Sequence, residues 1–493
     1  DAAYIKGMGR CFIQIGNDEL FEQVQTSYSG LDYRPDEPRP EELPQLLNPT
    51  GHVVRAPKKR EEEKEEIRKV RDEIAGLYKE QSAASATASA VGGPPKPAGK
   101  LTQMSAVLAR ISQVASEHGM LRNRRMWLPE MNERIYLRDL SFFRCAVRDS
   151  SGYPNPAGEI RLPMGLADDV AHQRYLPFVV NLTQMRNLMV VGLAGSGKTT
   201  LVQSMVYSLC SIYDPAHLNL YILSLTSQTL GTLAAFPHVG DIVFDGEEME
   251  LRRFVNMLYA ELARRGELFA AASTDSFLEY NRARIKTGQA PEPALIVFID
   301  RFKQFWDLFS ADDAYNARIQ QLIQEGSGRG IHFVVTAMAK TEVPTRCHSF
   351  FGGVALQLKE KSDYTDCIGK RVPYEMPPIA TAIGRGMGVL SGGVYEIQVA
   401  LGGAEPEHEG EGFDNLADVE RFAIASEIAP VENPPTDVER AQQIQAYAKK
   451  LAGLWSGARP ARVPRIPQNP TWKMLFEAEG FAATQKTEFA IPV

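Results

Sequence analysis

Cysteine is scarce in this sequence of 493 residues, with five thiols at Cys11, Cys145, Cys210, Cys347 and Cys367. No two stand in a C-x-x-C arrangement and the count is odd. This argues against a disulfide framework or a cysteine zinc site, and for isolated thiols in a reducing compartment. Long apolar runs are lacking too. The longest, such as Ala294 to Ile299, are strand-sized, far short of the ~20 residues of a membrane-spanning helix. There is no basic excess either: 61 acidic residues against 54 basic ones give a net charge of −7, the wrong sign for a general nucleic-acid coat. DNA is thereby demoted as a partner, although a local basic patch stays open. What is present is an ordinary globular balance, 44% hydrophobic and 23% charged, in a length that suits about three structural units. The first residue is Asp1 rather than Met, and the chain is expected to be a cytosolic piece of something longer.

Internal echoes support that expectation. Leu20-Phe21-Glu22 followed by Gln23-Val24-Gln25 is echoed by Val394-Tyr395-Glu396 followed by Ile397-Gln398-Val399, each beyond a glycine-containing turn. The stretch Glu488 to Val493 echoes Glu159 to Met164. Together they place the tail of one repeat at the start and the head of another at the finish. Between the first echo and the complete copy runs a charged segment from Lys58 to about Glu80, with opposite charges at helical spacing, which reads as a solvated helix. Ser82 to Gly99 is almost entirely Ala, Ser, Gly and Pro, a low-complexity tether. A helix resumes after Thr102, with Met104, Val107, Leu108, Ile111 and Val114 as its apolar stripe.

The centre alternates strands and helices. Asn187 to Val191, Leu218 to Leu225, Asp241 to Phe244, Ala294 to Ile299 and Ile331 to Val335 read as buried strands, and Leu201 to Leu209 and Glu248 to Phe269 as helices. This predicts an α/β fold with a mostly parallel sheet flanked by helices, extended by hairpins through Val389-Leu390 and Val394 to Val399. At the first strand–helix junction stands Gly192-Leu193-Ala194-Gly195-Ser196-Gly197-Lys198-Thr199-Thr200, which satisfies G-x-x-x-x-G-K-[ST]. Backbone N–H groups of such a loop wrap phosphates, and the helix N-terminus adds partial positive charge. Lys198 is expected to reach the β- and γ-phosphates of ATP, and Thr199 to ligate Mg²⁺. Asp300 ends a neighbouring apolar strand, as the acidic partner of the metal should. Thr336 ends the next strand, where its side chain either faces the γ-phosphate as a sensor or bonds to backbone.

Further stretches carry a resemblance. Gly165-Leu166-Ala167-Asp168-Asp169, Gln173-Arg174, Pro177 to Val180, Phe236 to Gly240, Gly328 to Ala337, Ser362-Asp363-Tyr364, Gly369 and Gly384-Arg385-Gly386 resemble the EccC/EssC ATPases. These are FtsK/SpoIIIE-type motors of type VII (ESX) secretion. The resemblance implies a RecA-like P-loop fold, hexamers at the cytoplasmic face of a membrane with the anchor in a part absent here, and WXG100-type protein substrates. Its partners would be the flanking ATPase domains of the same chain and other subunits of the secretion complex. Residues 1–35 would be the end of a preceding ATPase domain, 36–100 a linker and 101–155 a linker helix and lead-in. Residues 156–405 would be the complete second domain, and 406–493 a helix and linker toward a third.

The alternative is a DNA-translocating FtsK/HerA-like ATPase. It would want basic loops lining a channel, and the dense cluster Arg122, Arg124 and Arg125 beside Trp127 precedes the core instead. Arg264, Arg265 and Arg329 are candidates for an arginine finger, set against same-helix ion pairing with acids such as Glu261. Arg385 is a candidate adenine contact or a turn residue. His238 and His332 lack metal-ligand partners and read as core or turn residues. One departure matters most. Hydrolytic FtsK-type domains place Glu directly after the strand-end Asp, whereas Asp300 is followed by Arg301, a permanent cation that cannot act as a base. Glu325 is the sole substitute acid the sequence suggests. This copy is therefore expected to bind Mg·ATP and to hydrolyse it slowly or not at all, as a regulatory element.

Overall fold

The computed structural model describes residues 9–15, 20–27, 46–47, 53–54, 102–118, 128–149, 152–153, 158–373, 382–409, 419–426, 428–431, 433–465, 471, 482–483 and 489–490. The charged run, the low-complexity tether and the cluster from Arg122 to Trp127 lie outside them. The chain divides into two units, Asp1–Arg125 and Met126–Val493.

In the first unit, Arg10–Ile15 and Leu20–Gln25 pair as an antiparallel hairpin with Arg10 opposite Gln25. The helix Gln103–Glu117 starts on a capping box, Thr102 accepting the Ser105 N–H, which satisfies orphan donors of its first turn. The expected apolar stripe is helical but faces outward: Met104, Val107, Leu108 and Ile111 are between 48% and 59% exposed.

The second unit is built on a ten-stranded sheet. Its strands are β1 (Arg161–Asp169), β2 (Arg174–Asn181), β3 (Asn187–Gly192), β4 (Leu218–Ser224), β5 (Val239–Phe244), β6 (Ala294–Asp300), β7 (Ile331–Ala337), β8 (Phe351–Leu356), β9 (Arg385–Leu390) and β10 (Gly393–Val399). Across the sheet the order is β2-β1-β10-β9-β8-β3-β7-β6-β4-β5. From β8 to β5 the neighbours run parallel, and from β2 to β8 they run antiparallel. The expected hairpin after Gly384 is thus β9–β10. The hairpin β1–β2 escaped the sequence reading, because Pro163, Gly165 and Pro177 break the apolar runs that signal a strand.

Helices cover both faces, as a parallel sheet requires. The α-helices of eight residues or more are α1 (Lys198–Ile212), α2 (Glu248–Ala271), α3 (Phe277–Lys286), α4 (Phe302–Phe309), α5 (Asp313–Glu325), α6 (Lys361–Ile368) and α7 (Asp437–Leu454). Side chains alternate along each strand, so Leu188, Val190, Ile296 and Phe298 enter one core with Leu201, Val206, Tyr447 and Leu451. Met189, Val191, Val297 and Ile299 enter the other with Leu251, Phe254, Phe302 and Ile319. Residues from 201 to 212 of α1 are buried throughout, because α1 lies between the sheet and a further layer. Tyr207 meets Phe143 on one side and Tyr447 of α7 on another, with ring centroids 6.0 and 5.6 Å apart.

Both histidines singled out in the sequence are core residues. His238 Nε2 donates to the Tyr213 carbonyl at 2.7 Å and His332 Nδ1 to the Arg186 carbonyl at 2.5 Å. Burial holds both imidazoles down at about 4. The unfolded chain therefore binds two more protons than the fold between about pH 6.5 and pH 4. Asp168, lifted to about 6 by burial and by Glu396, opposes them in the lower part of that window. Through these groups stability should be level near pH 7 to 8 and fall on acidification, each histidine contributing about 1.4 kcal/mol per pH unit. Urea denaturation of His332→Asn, which keeps a donor for Arg186, should show a shallower fall between pH 6.5 and 5 than wild type.

Candidate nucleotide-binding site

The site forms where β3 gives way to α1, at the C-terminal edge of the parallel strands. After Gly192 the loop turns on Gly195 and Gly197, at φ of 81° and 91°, left-handed values that favour glycine. A Cβ on Gly192 would lie 2.5 Å from Ser196 Oγ and 2.7 Å from the Leu356 carbonyl oxygen, so the strand end has no room for a side chain. Lys198 Nζ donates to the carbonyls of Gly192 and Leu193, at 2.7 and 2.8 Å. Burial lowers its pKa, with Arg301 acting in the same direction and the charges of Asp300 and Glu342 opposing.

Asp300, at the end of β6, is 3% exposed. Its Oδ2 accepts the hydroxyls of Thr199 at 2.9 Å and Thr226 at 3.1 Å, and its Oδ1 accepts that of Thr336 at 2.7 Å. The Walker pair expected from sequence is thus in direct contact. Thr336 is 1% exposed and also accepts the Arg301 N–H at 2.8 Å. It faces Asp300 rather than the open loop, so any influence on a phosphate passes through that carboxylate.

These residues fit Mg·ATP. Ser196 Oγ is buried and has no partner among the described residues, a Cβ on Gly195 would meet nothing within 4 Å, and Lys198 Nζ donates to two carbonyls where an anion would be the stronger acceptor. Thr199 and Asp300 are the residues that would hold a magnesium ion, which usually keeps waters and phosphate oxygens as its other ligands. Among the described residues no cluster of three His, Cys, Asp or Glu would hold a metal by protein ligands alone.

The other sequence candidates lie elsewhere or are already bonded. Arg265 is fully buried. It pairs with Glu261 at 2.7 Å and donates to the carbonyls of Arg329, Gly330 and Pro293, so its donors are spent where β6 and β7 begin. Arg264 pairs with Glu261 and Glu292, both at 2.7 Å. Arg329 donates to the Leu262 carbonyl and pairs with Glu325. Glu325 precedes β7, at the opposite end of a seven-residue strand, roughly 20 Å from the loop. It is not placed to act as a base there. Arg385 is no adenine contact: it is 3% exposed and bonds to Gln398 at 2.8 Å, Glu396 at 3.0 Å and the Met131 carbonyl.

Three residues at this edge were missed. Thr226 is an isolated threonine just past β4, its only signal being a polar side chain at a strand end. Glu342 accepts the Met338 N–H at 2.8 Å from a turn no motif marks. Ile383 is 65% exposed, and its Cγ2 comes 3.1 Å from the position a Cβ on Gly197 would take. An exposed apolar side chain beside the loop is where a nucleobase would pack, two residues from Arg385.

A parallel sheet with a phosphate-binding loop and an acidic strand end one strand removed makes this a P-loop nucleotide-binding fold. Residues 159–363 match the model of the FtsK/SpoIIIE family. The chain is similar to proteins named for type VII and ESX secretion systems. The EssC protein of Staphylococcus aureus (strain NCTC 8325 / PS 47) is 22% identical over 377 residues, which is 75% of this chain and 23% of that protein. The EccC protein of Geobacillus thermodenitrificans (strain NG80-2) is 23% identical over 385 residues, 77% of this chain and 22% of that protein. The chain thus spans under a quarter of the length of these relatives. The fold is similar to ATPases 2 and 3 of Thermomonospora curvata EccC, solved in complex with a signal sequence peptide. That match has a TM-score of 0.53 and 22% identity, covering 69% of this chain and 56% of that one.

The placement of Arg385 has a testable consequence. Arg385→Met would leave Glu396 buried without its cation, a loss of about 3–5 kcal/mol in urea denaturation. ATP affinity of the folded variant should stay within about twofold of wild type. An adenine-contacting arginine would show the reverse, lost affinity with stability kept.

Proposed function

We propose that residues 156–405 are an Mg·ATP-binding domain, the second ATPase copy of a type VII secretion motor, that holds ATP firmly and hydrolyses it very slowly. The observation that carries this is the strand end. Asp300 is built for the metal, yet the next side chain is the cation Arg301, and Glu325, the substitute acid suggested by sequence, stands at the far end of the sheet. A missing base typically costs ~10²–10⁴ in rate. The domain then acts as a nucleotide-dependent structural element beside a more active neighbour.

The Arg10–Ile15 and Leu20–Gln25 hairpin supports a preceding ATPase domain in the same polypeptide. Its Arg10 Nε donates to Gln25 Oε1 at 3.2 Å, as Arg385 Nε donates to Gln398 Oε1 at 2.8 Å across the first register pair of β9–β10. Two hairpins with the same pair at the same register are what a tandem repeat leaves. By this reading the partners are flanking ATPase domains, other subunits of a hexameric membrane secretion complex and WXG100-type proteins, with DNA disfavoured. The place of work is the cytoplasmic side of the membrane, with the anchor in other parts of the polypeptide. No described helix is long and apolar enough to cross a membrane.

The test is binding and turnover on one sample. Calorimetry should show Mg·ATP binding that Lys198→Ala removes, and ATP at ~1,000 times its dissociation constant should add about 4 kcal/mol to unfolding. Bound ATP should be recovered intact after long incubation. Turnover near 1 s⁻¹, a rough lower bound for an ordinary enzyme, that is abolished by Lys198→Ala would overturn slow hydrolysis. Equal ATP binding by wild type and Lys198→Ala would overturn the site.

A further inference from the structure

Arg301 has the wrong backbone for an arginine. Its φ is +74°, a left-handed value that side-chain-bearing residues keep only where their surroundings enforce it and that gathers at functional sites. The enforcement is visible. Its N–H is held by Thr336 Oγ1 at 2.8 Å, and α4 begins at the next residue. The side chain is exposed and crosses from the end of β6 toward the loop: Arg301 Nη2 lies 3.5 Å from Sδ of Met338, the residue just past β7, which is the strand beside β3. A thioether is a weak acceptor.

Among the described residues Arg301 has no ion pair, whereas Arg264, Arg265, Arg329 and Arg385 each have at least one. With Lys198 at the same edge, a second cation aimed by a strained backbone and lacking an ion pair among the described residues calls for an anion of high charge.

We propose that Arg301 is a nucleotide-binding residue whose guanidinium engages the terminal phosphate of a nucleoside triphosphate, so that the site selects triphosphate over diphosphate. This rests on the ATP-binding reading above and goes beyond it. The position that would hold a base for turnover instead holds a clamp for retention. A guanidinium suits the task because its planar fork can donate two parallel hydrogen bonds to phosphate oxygens.

The test compares Mg·ATP and Mg·ADP affinities, by calorimetry on the full chain, for wild type, Arg301→Gln, Arg301→Gly and Lys198→Ala. Charge-assisted bonds of this kind predict that Arg301→Gln weakens ATP by roughly tenfold to hundredfold and ADP by less than about threefold. Arg301→Gly should give the same selective loss with an unchanged or higher melting temperature, since glycine relieves the left-handed backbone; this separates the missing cation from a damaged fold. Equal losses for both nucleotides, or none, would overturn the clamp. The ATP-binding reading would survive that result so long as wild type binds and Lys198→Ala does not. A wild type that binds neither nucleotide would overturn both.

Discussion

Everything at the nucleotide edge depends on how the Asp300 carboxylate is held. A carboxylate this buried would be costly without donors, and the fold supplies three hydroxyls rather than an arginine. Each comes from a different element: Thr199 from α1, Thr226 from the turn after β4, Thr336 from β7. One side chain thus ties three strands and the loop helix together at the level where phosphate would sit. Neutral donors also leave the negative charge uncancelled, and that charge is what a magnesium ion requires.

The opposite edge mirrors this with the sign reversed. Arg265 is buried beneath β6 and β7 and caps the carbonyls of Pro293, Arg329 and Gly330, just before those strands begin. Glu261 answers its charge from one turn away on α2. Asn187 does similar work under β3, donating to the carbonyls of Ile323 and Phe350 and accepting the Phe333 N–H. The same two strands are therefore pinned by a buried cation below and a buried anion above, which fixes their register against slippage. Arginines that pin a sheet in this way are unavailable to reach another subunit.

This division explains what was legible in the sequence. The loop and its strand–helix context are local, so Gly192 to Thr200 could be read directly. Asp300 followed from one rule, an apolar run ending in an acid. The arginines could not be assigned, because a guanidinium's role depends on which carbonyls tertiary packing brings to it, and Arg265 and Arg264 differ by one position on one helix. Arg385 misled for the same reason. Its flanking glycines read as a turn, whereas Gly386 is glycine because a Cβ there would lie 2.0 Å from the Ala355 carbonyl oxygen of the adjoining strand. Thr226 carried little local signal, since it matters through Asp300, a partner distant in sequence, and Glu342 sits in a turn that no motif marks.

The exchange of a base for a cation after Asp300 also has an electrostatic meaning that the fold makes concrete. Replacing a carboxylate by a guanidinium changes the local charge by two units at an edge that already holds Lys198. A highly charged nucleotide would gain affinity from that change and lose the group that activates water, so the two effects run in the same direction, toward retention. The surrounding scaffold is otherwise intact: the loop turns on its glycines, Thr199 meets Asp300, and Thr336 orients both Asp300 and the backbone of Arg301. A site decaying without constraint would have no reason to keep those contacts. Their coexistence with Arg301 fits the proposed reading of a domain that binds the nucleotide rather than turning it over.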